Sequence, residues 1–235
     1  MAKQELKALA RDDGDKYLII MDVDGVFNHY SAKEYVAYLA SLIDADPAEL
    51  LPKVLAHSNR LCSGEIGLED FNNEMLKTLG ISGAMARWVD YYLEVTLNPE
   101  TIRIARRLRE HGHKIILMSN EDKTRNSAIS GPLKSLMRID YSFIPSKIGR
   151  HSKPSPEAYL AVVQAVSKSE GRPISMREIV FIDDSPKNVK AASALGMHGL
   201  VFTSANALMR DLEAMGIRLG AIPQLKSKIP RKVHA

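Results

Sequence analysis

The chain has 235 residues, 45% of them hydrophobic and 26% charged, with 32 basic against 28 acidic side chains and a formal net charge of +4. That length suits one large domain or a domain carrying an insert, and the apolar content suffices for a sizeable core, which excludes global disorder. The longest aliphatic runs, Leu18-Ile19-Ile20-Met21 and Ile115-Ile116-Leu117-Met118, fall far short of the roughly 18 apolar residues that cross a bilayer, so no membrane association is expected.

The opening stretch MAKQELKALARDDGDK mixes charges of both signs where a secretory leader would be continuously apolar. The single cysteine, Cys62, can form no internal disulfide and reads as an inert thiol. Both features point to the cytoplasm. The basic excess lies in 224–235, where Lys226, Lys228, Arg231 and Lys232 stand without an acid, so the rest of the chain is electrically balanced. Nucleic acid is therefore a poor candidate for a partner. Arg103, Arg106, Arg107 and Arg109 have helical spacing and read as a solvated face.

In chain order, an apolar strand at 17–21 precedes a helical stretch with helices at 32–42, from Pro47 onward, at 68–79 before Gly80, and at 83–95. A helix at 100–111, ending at Gly112, leads to a strand at 114–119. Beyond it the pattern predicts a helix at 123–137, a strand at 141–144, a helix at 156–167, a strand at 179–182, a helix at 186–195 closed by Gly196, and a strand at 200–202. Short apolar strands alternating with amphipathic helices predict an α/β fold with a parallel sheet covered on both faces. The interval from Met21 to Lys114 is too long for one crossover helix. The expected organisation is a core of 1–27 and 98–223, a helical cap at 28–97 and a basic tail at 224–235. Tyr30, Tyr35, Tyr38, Trp88, Tyr91 and Tyr92 of the insert could line a substrate pocket, although helical aromatics more often pack in a core.

The first strand ends in Met21-Asp22-Val23-Asp24-Gly25. In an open parallel sheet ligands bind at the carboxyl ends of strands, and Asp22 and Asp24, two apart, point the same way while the chain stays extended. A second apolar strand runs into Asp183-Asp184 before a helix start at Pro186. Four carboxylates with no histidine or cysteine nearby in sequence favour a hard cation, Mg²⁺, over zinc or copper. Ser119 and Asn120 close the strand between them, and Lys153 stands thirty residues before Asp183. A cation there would neutralise a phosphoryl group beside the carboxylates.

DVDGV, LMSN, HSKPSPEAY and FIDDSPKNVKAASALGM, in this order, resemble the four motifs of the haloacid dehalogenase (HAD) superfamily across roughly 17–203. The resemblance implies a Rossmann-like core with a subfamily I helical C1 cap, and CSGEIGLEDFNNEMLKTLGI is similar to cap segments of family members that dephosphorylate sugar phosphates and other small metabolites. It implies Asp22 as nucleophile and Asp24 as general acid and then base. It further implies Ser119, Lys153 and Asn120 at the phosphoryl group, and Mg²⁺ on Asp22, the Asp24 carbonyl and Asp184, with Asp183 either a further ligand or an acid that orients the metal's waters. The expected activity is hydrolysis of a small phosphomonoester through an aspartyl-phosphate. A phosphotransferase or mutase, or a catalytically quiet regulatory protein on the same fold, are the alternatives.

Three departures bear on this. Val26 stands where many members have threonine, Asn188 stands where a further acid often lies, and Asp24 is present where haloacid dehalogenases themselves lack the second aspartate. His29 falls at the expected core-to-cap junction, whereas His111, His113 and His151 have no ligand spacing. The sequence leaves the substrate and the oligomeric state open.

Overall fold

The computed structural model describes residues 16–29, 31–81, 95–121, 123–149, 151–220 and 232–233. Its strands are β1 (Leu18–Met21), β2 (Val95–Thr96), β3 (Lys114–Met118), β4 (Tyr141–Phe143), β5 (Ile179–Asp183), β6 (His198–Val201) and β7 (Lys232–Val233). Helices are α1 (Ala32–Ser41), α2 (Pro47–Ser63), α3 (Leu68–Leu79), α4 (Pro99–Glu110), α5 (Lys123–Leu136), α6 (Pro145–Gly149), α7 (Pro156–Glu170), α8 (Pro186–Ala194) and α9 (Ala205–Ala214).

Five strands form one sheet in the order β4-β3-β1-β5-β6, and every neighbouring pair is parallel. Alternation along β1 divides its side chains between two cores. Ile19 and Met21 join Ile102, Leu108, Leu133 and Leu212 from α4, α5 and α9. Leu18 and Ile20 join Tyr159, Val162 and Val189 from α7 and α8. The helices start where their capping chemistry dictates. Asn98 accepts from the backbone N–H groups of Glu100 and Thr101 ahead of Pro99, and Asp46 accepts from Ala48 ahead of Pro47.

Helices α1 to α3 build a separate apolar cluster of Tyr35, Leu39, Val54, Phe71 and Met75. Tyr35, expected as a possible pocket aromatic, is 1% exposed within that cluster, and Tyr38 packs against it. Tyr30, Trp88, Tyr91 and Tyr92 lie outside the described residues, as does most of the helix expected at 83–95; Val95 at its end is in strand β2. The chain leaves and re-enters the sheet side by side. The backbone N–H of His29 donates to Thr96 at 3.0 Å, that of Asn98 to Phe27 at 2.7 Å, and Asn28 bridges to Leu97.

Strand β6 begins at His198 rather than at residue 200, because its pairing with β5 starts at His198 opposite Val180, where the buried His198 also sets its Nε2 2.9 Å from the Arg177 carbonyl. β5 extends one residue to include Asp183, whose carbonyl accepts from the Phe202 N–H at 2.9 Å. Within the expected tail, Lys232 and Val233 pair antiparallel with β2; Lys226, Lys228 and Arg231 lie outside the described residues. Two of the four α4 arginines are engaged with distant parts of the chain. Arg107 Nε donates to the Leu219 carbonyl at 2.7 Å, and Arg109 pairs with Asp140 at 3.0 Å. Among the described residues no helix is long and apolar enough to cross a membrane.

Candidate active site

β1 and β5 are paired in register, Met21 against Ile182, so the residues that follow them emerge at one edge of the sheet. The Asp22 N–H donates to the Ile182 carbonyl at 2.8 Å, which keeps the chain extended through Asp22, and the Asp22 Oδ1 accepts from the Val23 N–H at 2.7 Å. The chain then coils into a helical turn, with the Phe27 N–H donating to Val23 at 2.8 Å. Gly25 makes this turn possible. Its φ is +76°, and a Cβ there would fall 2.6 Å from Asp184 Cγ, so the loop needs glycine both for its backbone and for the approach of the second acidic pair.

Lys153 reaches the same point from the loop before α7. Its Nζ lies 2.8 Å from Asp22 Oδ1 and 2.7 Å from Asp183 Oδ2, and it donates to the Met118 carbonyl at 2.9 Å. Asp183 is fully buried and accepts further bonds from the Ser185 N–H at 2.9 Å and from Asn188 Nδ2 at 3.0 and 3.1 Å. Asp184 is exposed beside it. Burial, aided by Asp183, holds the Asp22 carboxyl well above the usual range even though Lys153 opposes this. Partial desolvation against its neighbours, and then Asp183, also raise the Asp184 carboxyl. Burial works against the charge of Lys153, but Asp22 and Asp183 outweigh it and keep the ammonium protonated.

One lysine thus faces more negative charge than it can neutralise. Carboxylate oxygens of Asp22, Asp183 and Asp184 lie within 4.8 Å of one another, an all-oxygen donor set suited to a hard divalent cation such as Mg²⁺. The residues present fit that ion, which would offset both the desolvation of these carboxylates and the repulsion that Asp183 adds.

The remaining expected residues are at the same edge with different partners. Ser119 is buried at the end of β3, next to Met118 whose carbonyl receives Lys153. Both ends of the Asn120 amide are engaged with the backbone of Lys153, its Nδ2 donating to the carbonyl at 2.8 Å and its Oδ1 accepting from the N–H at 3.0 Å. Asn120 therefore fixes the lysine loop. Asp24 is held by Asn28 Nδ2 at 2.6 Å and by Arg125, which donates through Nη2 to Oδ1 at 2.9 Å and through Nε to Oδ2 at 3.2 Å.

Sequence reasoning missed Arg125, its neighbour Glu121, Asn28, and the function of Asn188 as a donor to Asp183. Glu121 is 2% exposed, and its burial beside Asp24 lifts its carboxyl well above the usual range. The available signal was the i,i+4 spacing of Glu121 and Arg125 directly after Ser119-Asn120. A cleft of about 800 Å³ borders this edge, with Gly25, His29, Asn98, Arg103, Phe202 and Thr203 in its walls. His113 and Cys62 are elsewhere: His113 Nδ1 accepts from the Tyr17 N–H at 3.0 Å, and the Cys62 carbonyl accepts from Ser146 Oγ at 2.5 Å.

A family profile described as haloacid dehalogenase-like hydrolase matches residues 17–196. The chain belongs to this family. Flavin mononucleotide hydrolase 1 of Arabidopsis thaliana, named as a chloroplast protein, is 36% identical over 97 residues, covering 41% of this chain and 36% of that one. Haloacetate dehalogenase H-2 of Moraxella sp. (strain B) is 28% identical over 120 residues, covering 48% of each. The matches take in less than half of either relative's length. Among solved structures, an HAD-family enzyme of Bacteroides thetaiotaomicron in complex with magnesium superposes with a TM-score of 0.61 at 19% identity, covering 81% of this chain and 94% of that one. That likeness establishes the shared fold. The protein is accordingly an HAD hydrolase with a Rossmann-like core.

Proposed function

We propose that this HAD hydrolase is a Mg²⁺-dependent phosphatase that acts on a small phosphomonoester, a sugar phosphate or similar metabolite, through an aspartyl-phosphate on Asp22. The observation that carries this reading is the excess negative charge around Asp22, held against a single buried lysine. Mg²⁺ on Asp22, Asp183, Asp184 and the Asp24 carbonyl would offset the charge of the phosphate dianion as the nucleophile approaches. Lys153 supplies the second positive charge at the transferring group, and Ser119 a hydroxyl beside it.

Asp22 attacks phosphorus and Asp24 protonates the departing alkoxide, giving an alcohol, an acyl phosphate on Asp22 and ionised Asp24. Asp24 then takes a proton from water as the water oxygen bonds to phosphorus, and the P–O bond to Asp22 breaks with its electron pair returning to the carboxylate. Residues 28–97, with α1 to α3, serve in this reading as a cap that excludes bulk water while the intermediate forms. The cleft beside Gly25 and His29 offers room for the organic part of the ester.

Hydrolysis of a carbon–halogen bond is the second reading, favoured by the identity with haloacetate dehalogenase H-2. It leaves Asp24 and the charge excess at Asp183 and Asp184 without a purpose. The deciding experiment measures phosphate release from sugar phosphates, flavin mononucleotide and an aryl phosphate, and halide release from haloacetate, each with Mg²⁺ and with EDTA. Phosphate release that needs Mg²⁺ and falls by at least about a thousandfold in Asp22→Asn, with folding unchanged, is the expected result. Halide release without phosphate release overturns the phosphatase. Phosphoryl transfer to an added alcohol in preference to water would make the protein a phosphotransferase.

A further inference from the structure

On α5, Arg125, Ile129 and Leu133 recur every fourth residue and share one inward face. Ile129 and Leu133 join the core beneath the sheet. Arg125 continues the stripe at its end nearest the acidic edge, yet it is a guanidinium, 2% exposed, where an apolar side chain would be expected. Enclosing such a group is costly unless it is paired. Its contacts give the reason for its presence: Nη2 and Nε meet the two separate oxygens of Asp24. Glu121 Oε1, at 4.0 Å from Nε, lies beyond hydrogen-bond distance, so the fork faces Asp24.

A two-point contact from a planar guanidinium fixes both the plane and the rotation of a carboxylate, which a single hydrogen bond cannot do. Asn28 Nδ2 adds a third donor on Oδ1 at 2.6 Å. All three are N–H donors, and together they engage both oxygens of Asp24 and leave its carboxyl group a single orientation.

We propose that Arg125 is a positioning residue for Asp24 and that it holds the carboxyl group in the orientation from which it accepts a proton from the water that attacks the aspartyl-phosphate. The inference rests on the phosphatase reading above. In this half-reaction water gives its proton to Asp24 and its oxygen to phosphorus, the bond to Asp22 breaks toward the Asp22 carboxylate, and hydrogen phosphate leaves. In this assignment Arg125 acts through Asp24 and not on the reacting atoms.

The test compares the intact protein with Arg125→Ala, Arg125→Lys, Asp24→Asn and the double variant Asp24→Asn/Arg125→Lys, using p-nitrophenyl phosphate and an alkyl phosphate with Mg²⁺. Because the second half-reaction is common to all substrates, Arg125→Ala should lower kcat by about tenfold or more for both substrates, while kcat/KM for p-nitrophenyl phosphate changes less than about threefold. Acid-quenched samples should contain accumulated phosphorylated chain, Arg125→Lys should recover part of kcat, and in the Asp24→Asn background Arg125→Lys should add less than about a twofold loss.

Parallel loss of kcat and kcat/KM without phosphorylated chain overturns the inference, as do losses that multiply in the double variant or an unchanged kcat. Should Arg125→Ala fail to fold, the Arg125→Lys comparison decides. An unmutated protein that releases no phosphate overturns the phosphatase reading and this inference with it; an active protein indifferent to Arg125 overturns this inference alone.

Discussion

The sheet edge and the α1–α3 segment differ in what they enclose. At the edge, Asp22, Asp183, Lys153, Arg125 and Glu121 are each no more than 8% exposed. Within α1 to α3 the buried side chains are apolar, and the polar residues His57, Arg60 and Glu74 stitch α2 to α3 at the partly exposed rim, with His57 Nδ1 at 2.8 Å and Arg60 Nη1 at 2.6 Å from Glu74. Enclosed charge costs stability and is retained where it does chemistry, whereas the helical segment draws its stability from contact between apolar surfaces. The two regions should therefore fail in different ways.

The sharpest break in this comparison comes from Lys153→Met. It leaves Asp22 and Asp183 buried against each other without their shared cation, and the chain should lose about 3–5 kcal/mol in urea unfolding together with its activity. A variant as stable as the parent would mean that the carboxyls are reached by water and that the edge is not enclosed in the sense argued here.

Met75→Ala tests the other region. Met75 is fully buried among Tyr35, Leu39 and Phe71, and removing it should cost about 2–5 kcal/mol. The loss should be local: hydrogen exchange should quicken across α1 to α3 and stay unchanged in β1 and β5. Uniform quickening would show that the two assemblies unfold as one unit.

The smallest effect concerns His113, outside both. Burial, with lesser contributions from Lys16 and His111, pushes its pKa down to about 4. Nδ1 must be unprotonated to accept from Tyr17, so the folded state binds the proton less readily than the unfolded state, whose histidine titrates near about 6.5. This contribution is complete above that pH and is lost as the pH falls from about 6.5 toward 4, a change on the order of 1 kcal/mol after solvent screening. Melting temperatures of the parent and of His113→Asn, which keeps an acceptor, should converge across that window.

Much of this was legible in the sequence because β1 and β5 are continuous apolar runs that stop at acids. Asp22 follows β1, while Asp183 closes β5, and neither position needs tertiary knowledge to be noticed. Arg125 was not legible, since its spacing from Glu121 suits a surface ion pair equally well and only the packing of α5 turns it inward. The resemblance places Asn120 at the phosphoryl group, and what no local pattern showed is that its side-chain amide engages the backbone of Lys153. Helix α9 was overlooked because Ser204 and the apolar positions Leu208 and Leu212 follow β6 without a strong break. The pairing of β2 with β7 joins residues more than a hundred positions apart, beyond the reach of any local pattern.

The bonds that join Phe27 to Asn98 and His29 to Thr96 make the helical segment, in topological terms, an enlarged hairpin loop. Its two ends meet at a fixed spacing whatever lies between them, and the entropic cost of closing a loop rises only slowly with its length. Such a joint is a natural site for exchange. One inserted module can be traded for another, or shortened, without rethreading the sheet or disturbing the register of its strands.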